Sequence, residues 1–197
     1  MVSIFKDVFK VDEAYYIPIE EALDRIKRGV SKDKVLAIRQ AKLDNNSKLY
    51  KKLKLELPSV IFSGEAKTVI EKTKQKDGAK YNSLREDASI TTHSGFMVLD
   101  FDEIETSALL EARRSQLTAD SFIFAYWDSP SSVLGGYGLK GLVRIPPSIT
   151  NHAKLYESFI ERYPDLDTTS RSLSRLCFES YDPDIYINKK SKVWTKI

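Results

Sequence analysis

Asp100 and Asp102 stand two residues apart at the end of an apolar run, in the stretch His93–Asp102 (HSGFMVLDFD). Side chains alternate along a strand, so residues two apart share a face. A strand over Phe96–Asp102 therefore projects both carboxylates from its C-terminal end. Two carboxylates held side by side repel each other, and a divalent cation neutralises them most simply. Oxygen-only donors suit Mg²⁺ or Mn²⁺. A strand that merely runs into an acidic turn is spelled the same way, so the pair needs company elsewhere in the chain.

Two further stretches offer that company. Ser129–Arg144 is a Ser/Gly loop that runs into a strand bearing Lys140 and Arg144. Small residues such as Ser129, Ser131 and Gly138 let phosphates approach the backbone, and a following lysine supplies a point charge. The order G-x-x-x-x-G-K-[ST] is absent, so this is no Walker loop. Asp165–Arg175 adds a third carboxylate, Asp167, and another cation, Arg175. Three carboxylates, a Ser/Gly loop and two or three cations are the parts of a two-metal nucleotidyl-transfer site. The remaining chemistry-bearing residues read as structural. His93 anchors a loop, His152 is exposed near a helix start, and Cys177 belongs to the core between Leu176 and Phe178.

The elements that must position these residues follow from periodicity and punctuation. Residues 1–17 read as an extended lead-in with an edge strand at Tyr15–Ile17. Pro18 opens a helix that Gly29 stops, and Ser31 caps a second. Ser47–Leu55 (SKLYKKLKL) is a short basic helix, and SVIFSG a strand ended by Gly64. Residues 65–90, rich in lysine and poor in large apolar groups, read as a mobile or surface-lying segment with a turn at Asp77–Gly78. From residue 93 the order is strand, helix (Thr106–Leu117, burying Leu109, Leu110 and Leu117), strand (Phe122–Trp127), strand (Leu139–Ile145), helix (from Asn151 through Arg162), strand (Arg175–Phe178). This is the β-α-β-β-α-β arrangement of a ferredoxin-like or RNA-recognition-type sheet.

The totals agree with one α+β domain over residues 1–197, a basic half at 1–90 and the motif-bearing half at 91–190. With 197 residues, 42% of them hydrophobic and 30% charged, the chain can build a sizeable core and a solvated surface. No apolar run nears the roughly 20 residues that span a bilayer, and the N-terminus lacks a signal-peptide core. A single cysteine excludes an intramolecular disulfide and a cysteine-built zinc site, and a cytoplasmic location follows as the expectation. The net charge of +3 is unevenly spread: residues 1–80 hold 18 Lys and Arg against 12 Asp and Glu, the remainder 13 against 16. An acidic motif beside a basic half suits a metal site next to a polyanion track.

Four strings in this order, LPSVIFSG (57–64), HSGFMVLDFDEI (93–104), SPSSVLGGYGLKGLVRI (129–145) and DTTSRSLSRLCFESYDPDIYIN (167–188), resemble the VirE-type N-terminal domain of the archaeo-eukaryotic primase, or primase–polymerase, superfamily. The resemblance covers roughly residues 15–190. It implies an archaeo-eukaryotic primase-like core, with an N-terminal α/β half packed on an RNA-recognition-like C-terminal half. It implies that Asp100, Asp102 and Asp167 are the catalytic carboxylates and hold Mg²⁺ or Mn²⁺. Ser129, Ser131, Gly138, Lys140, Arg144 and Arg175 would bind the nucleotide, with Lys140 where the family carries a histidine. The implied partners are nucleoside triphosphates and a single-stranded or primed DNA template tracked by basic residues of 25–80. The implied setting is replication of a phage, plasmid or other mobile element, with a helicase as a further domain or partner. The chain stops at Ile197, as an excised domain or a stand-alone module would. A non-catalytic accessory that binds single-stranded nucleic acid is the alternative, and a metal nuclease a third reading.

Overall fold

A computed structural model describes residues 1–197 and divides them between two antiparallel sheets. The first holds β1 (Val2–Phe5) and its outer neighbour β2 (Tyr15–Ile17). Three helices follow: α1 (Ile19–Arg28), α2 (Lys32–Leu43) and α3 (Ser47–Leu55). Gly29 ends α1 at φ 76°, a left-handed C-cap that glycine takes without steric cost, and its N–H donates to Arg25 O. At the turn into α3, Asn45 adopts φ 53° and the Asn46 side chain accepts from Leu49 N. β3 (Ser59–Ile61) returns to pair with β1.

Beyond β3 come β4 (Gly64–Ala66), β5 (Ile70–Thr73), β6 (Lys80–Ser83) and β7 (Ile90–His93), in two two-stranded ladders, β4–β7 and β5–β6. The segment read as surface-lying is thus an ordered hairpin over 70–83. Its strands carry Lys and Glu rather than alternating apolar residues, so main-chain pairing holds it and periodicity gives no sign of it. Gly64 sits where β4 and β7 press closest: a Cβ there would meet Thr92 O at 2.1 Å.

The second sheet carries β8 (Phe96–Ile104), then α4 (Ser107–Ala119), β9 (Ile123–Asp128), β10 (Tyr137–Arg144) and α5 (His152–Ile160). β10 lies between β8 and β9 and is antiparallel to both, as a split β-α-β unit requires. The last strand departs from the RNA-recognition order. β11 (Cys177–Phe178), foreseen as the fourth strand of this sheet, pairs instead with β3 of the first sheet. β12 (Tyr186–Ile187) joins the second sheet on β9. The physical reason lies at β8, where the outer Asp100 carbonyl already accepts from Asp167 N at 3.0 Å. A 3₁₀ turn at Thr168–Arg171 follows Asp167 there. The overall architecture is mixed α+β and consistent with a primase-like fold, without the RNA-recognition strand order.

The pleat of β8 decides which side each residue serves. Met97, Leu99 and Phe101 face one core with Leu110, Leu117, Leu155 and Phe159 of α4 and α5. Burying a side chain of this size contributes roughly 1.5–3 kcal/mol. Leu109 is 54% exposed, so α4 buries a narrower stripe than its three leucines suggested. On the other face Val98 joins Phe124, Trp127 and Leu142 against α1 and the first sheet. Asp100 and Asp102 continue that second face past the edge of the core.

Candidate functional site

Ladder register sets the site. On β8 and β10, Asp100 lies directly opposite Lys140, and cross-strand neighbours are within side-chain reach. The Lys140 ammonium accordingly forms an ion pair with Asp100 Oδ1 and stands 3.9 Å from Asp102 Oδ1. Beyond this pair the ladder shifts register between Tyr137 and Leu139, and Glu103 adopts φ 59°. Such a bulge re-aims side chains at the end of a strand. Gly138 packs into it: a Cβ there would stand 2.8 Å from Ser129 Oγ and 3.2 Å from Asp102 Oδ1.

Asp167 arrives from the other side. Its N–H donates to the Asp100 carbonyl and its own carbonyl accepts from Tyr156 OH at 2.8 Å, which pins the backbone to β8 and α5. The side chain accepts from Thr169 N and Thr169 Oγ1, and Arg175 Nη2 bridges it at 2.8 Å to Asp100 Oδ2 at 3.0 Å. The three carboxylates offer one oxygen each within 4.8 Å of one another.

Asp100, Asp102, Lys140 and Arg175 line a cleft of about 520 Å³ with Ser129 and Ser131, and Asp167 joins it through its bond to Arg175. Polar partners inside it are unevenly shared: Asp100 is 2% exposed, its Oδ1 is met by the Lys140 charge alone, and its Oδ2 accepts from Arg175. Burial raises the Asp102 pKa against the pull of Lys140, and Asp100 adds to the rise. Burial also pushes Asp167 upward, but the Thr169 hydrogen bonds and Arg175 outweigh it and its carboxyl titrates below the ordinary range.

A divalent ion fits this donor set. The ligands are all oxygen, three carboxylates converge, and the buried Asp100 Oδ1 is met by the Lys140 ammonium alone. The set of three carboxylates and two cations carries a net charge of −1, which one divalent ion would invert.

The Ser/Gly loop is built differently from the phosphate cradle its composition suggested. The N–H groups of Ser129, Ser132, Gly136 and Gly138 bond within the loop itself. Its carbonyls are held from behind: Arg39 donates to Ser129 O, and Lys42 to Ser131 O and Gly136 O. What the loop presents to the cleft is the Ser129 and Ser131 side of its turn.

Arg144 is not brought to this cleft. It shares a face with Lys140 but lies four residues on, roughly 13 Å at strand rise, with its guanidinium 4.7 Å over the Phe124 ring. Sequence reading also missed residues that do line the cleft: Lys54, Arg85, Thr169, Ser172 and Ser174. Lys54 had a signal in the basic helix, whereas Arg85 had none. Of the residues read as structural, Cys177 is buried and its thiol is pushed up to about 12 by burial. His93 and His152 are buried together, their ring nitrogens 3.0 Å apart, so His152 is not exposed.

No helix is long and apolar enough to cross a membrane. Neither a curated protein nor a solved structure matches the chain. A family model does, the one described as BT4734-like, N-terminal domain, over residues 52–187. That span takes in β3, both strands of the hairpin, all three carboxylates, Lys140 and Arg175. The chain belongs to the BT4734-like N-terminal domain family, which is linked to primase–polymerase-like proteins.

Proposed function

We propose that this chain is a metal-dependent nucleotidyltransferase of the primase–polymerase kind, with the character of a VirE-type N-terminal domain. It would join nucleoside triphosphates to a 3′-hydroxyl on a DNA template. The observation that carries this reading is the convergence of Asp100, Asp102 and Asp167, one oxygen each within 4.8 Å, beside Lys140 and Arg175 at a polar cleft. Asp100, Asp102 and Asp167 would hold the metal. Bound there, Mg²⁺ or Mn²⁺ supplies Lewis-acid stabilisation of phosphate charge and activation of the attacking hydroxyl.

The chain's own cations then change partners. Lys140 and Arg175 neutralise the carboxylates when no other cation is present. With a divalent ion held by the three carboxylates, Lys140 and Arg175 would be available to the triphosphate, with Ser129 and Ser131 beside them in the cleft wall. An ammonium in place of the family's histidine keeps a positive charge at phosphate but gives up a hydrogen-bond acceptor. Gly138 keeps the loop close enough to hold Asp102 in position.

The test is primer extension, or primer synthesis, by the full chain with nucleotides and Mn²⁺ or Mg²⁺. Asp100→Ala is expected to abolish incorporation while the circular dichroism spectrum is retained. Equal activity in wild type and variant would remove Asp100 from the reaction. The ion pairing of both cations with the carboxylates also favours a second reading, a self-neutralised site in a single-strand-binding accessory. Strand binding that persists in EDTA, with no incorporation under any metal, would select it. Cleavage of a labelled strand without added nucleotides would point to a nuclease.

A further inference from the structure

Two regions of the N-terminal half are rich in lysine, and their charges are met differently. Residues 65–86 hold six cations against four carboxylates, and 47–55 hold four against none. In the hairpin region, Lys67 pairs with Glu65, Lys72 with Glu86 at 3.1 Å, and Lys80 with Glu71 at 2.8 Å. On α3, Lys48, Lys51 and Lys52 are exposed, and none of the helix's four lysines forms an ion pair. The region with more lysines in sequence thus presents less uncompensated charge.

The fourth lysine of α3 ties the helix to the site. Lys54 lines the main cleft and also a side arm of about 190 Å³, which shares Asp102, Ser129 and Ser131 with it. Its ammonium lies 5.7 Å from the Tyr50 ring and 5.5 Å from that of Phe178. Tyr50, Phe178 and Tyr137 are all partly exposed where they line the cleft and its arm. The arm also carries Lys42 and, on its acidic side, Glu103. Burial opposes ionisation of the Tyr50 phenol, yet Lys54, a Ser131 hydrogen bond and Lys42 outweigh it and lower its pKa. The Tyr50 side of the arm thus carries both of its lysines, Lys42 and Lys54. Unpaired lysines leading to partly exposed aromatic rings are what a single strand needs: cations for phosphates and π-faces for bases.

We propose that α3 and the side arm behind Lys54 form the track for single-stranded nucleic acid, and that the 70–83 hairpin takes no part in it. This rests on the nucleotidyltransferase reading, which supplies the reason for a strand to approach Asp102.

The test is fluorescence anisotropy of a labelled oligo-dT with the full chain over a salt series. Lys48→Gln/Lys51→Gln/Lys52→Gln is expected to weaken binding at least tenfold at low salt. The log–log salt slope should become shallower by about 2, at about 0.7 per lost contact. Lys74→Gln/Lys76→Gln should stay within twofold of wild type. All five positions are exposed, and unchanged melting temperatures would exclude misfolding. The track is overturned if the hairpin variant loses as much as the helix variant, or if the helix variant loses nothing. Should wild type still extend primers in that case, the enzyme reading stands and only the track falls. If wild type neither binds oligo-dT nor incorporates nucleotides, both fall.

Discussion

The two ends of the β8–β10 ladder put the same kinds of residue to opposite uses. At one end Lys140 faces Asp100 across the ladder beside an open cleft, with Asp102, Asp167 and Arg175 close by. At the other, Arg144 is paired in register with Phe96, lies over Phe124, and gives its carbonyl to Trp194 N. Gly95 O accepts from Ile145 N at this end, and just behind it His93 and His152 are buried as a pair. The carbonyls of Gly95 and Arg144 and the two imidazoles there have fixed partners inside the protein. At the Asp100 end the partners of the carboxylates are the cations Lys140 and Arg175, which a divalent metal could replace. The difference is one of exchangeability rather than of residue type.

The largest expected effect comes from removing the exchangeable cation. Lys140→Met leaves Asp100 buried beside a neutral chain, and breaking a buried pair this way costs about 3–5 kcal/mol. The variant should melt well below wild type in EDTA and recover much of the loss when Mn²⁺ is added, since a ligand bound only by the folded state stabilises it. Mn²⁺ affinity, followed by the EPR signal of the free ion, should tighten by roughly tenfold, equivalent to about 1.4 kcal/mol. Nucleotide affinity should fall in the same variant. Weaker Mn²⁺ binding would mean that Lys140 props Asp100 in place rather than holding the metal's position, and the contrast between the ends would collapse.

How much of this contrast can be read before folding depends on how local each contact is. The paired aspartates are visible because alternation on one strand suffices to place them together. α1, α2 and α4 are visible because Pro18, Gly29, Ser31 and Thr106 stand at their ends. Asp167 and Arg175 were separable from an ordinary polar loop only with Asp100 already in view, since their approach to β8 is a tertiary event. Lys54 and Arg85 lie 46 and 15 residues upstream of Asp100, and no spacing rule links them to it. Arg144 shows the converse, for sharing a face with Lys140 says nothing about the roughly 13 Å between them. The choice of β3 as the partner of β11 is likewise settled by which strand edges stay open, as the Asp167 contact with Asp100 makes plain.

A smaller effect should come from the histidine pair. His93 Nδ1 accepts from Gly95 N at 2.9 Å, so its Nε2 carries the hydrogen and donates to His152 Nδ1. Burial lowers both pKa values to about 4, with His93 adding to the effect on His152. Unfolded histidine titrates near 6.5, so between about 6.5 and 4 the unfolded chain binds more protons. Stability is full above the upper value and declines as pH falls through this window, by at most about 1.4 kcal/mol per pH unit for each ring. Urea titrations at several pH values should show that slope, and His152→Asn should reduce it. A slope that is unchanged in the variant would assign the acid sensitivity to groups other than this pair.

The smallest effect is expected at Arg144, and it is the sharpest check on the comparison. Arg144→Met keeps the apolar stem over Phe124 and removes only the guanidinium. A cation over an aromatic ring at a partly exposed site is worth about 0.5–1 kcal/mol. The ladder bonds of β10 and the carbonyl accepted by Trp194 N involve the backbone and survive the substitution. Chemical denaturation should therefore show a loss of that size, with Mn²⁺ affinity, nucleotide affinity and the rate of incorporation all unmoved. A fall in nucleotide affinity comparable to that of Lys140→Met would bring Arg144 into the site despite its distance, and would mean that the bound triphosphate reaches along the strand face past Leu142.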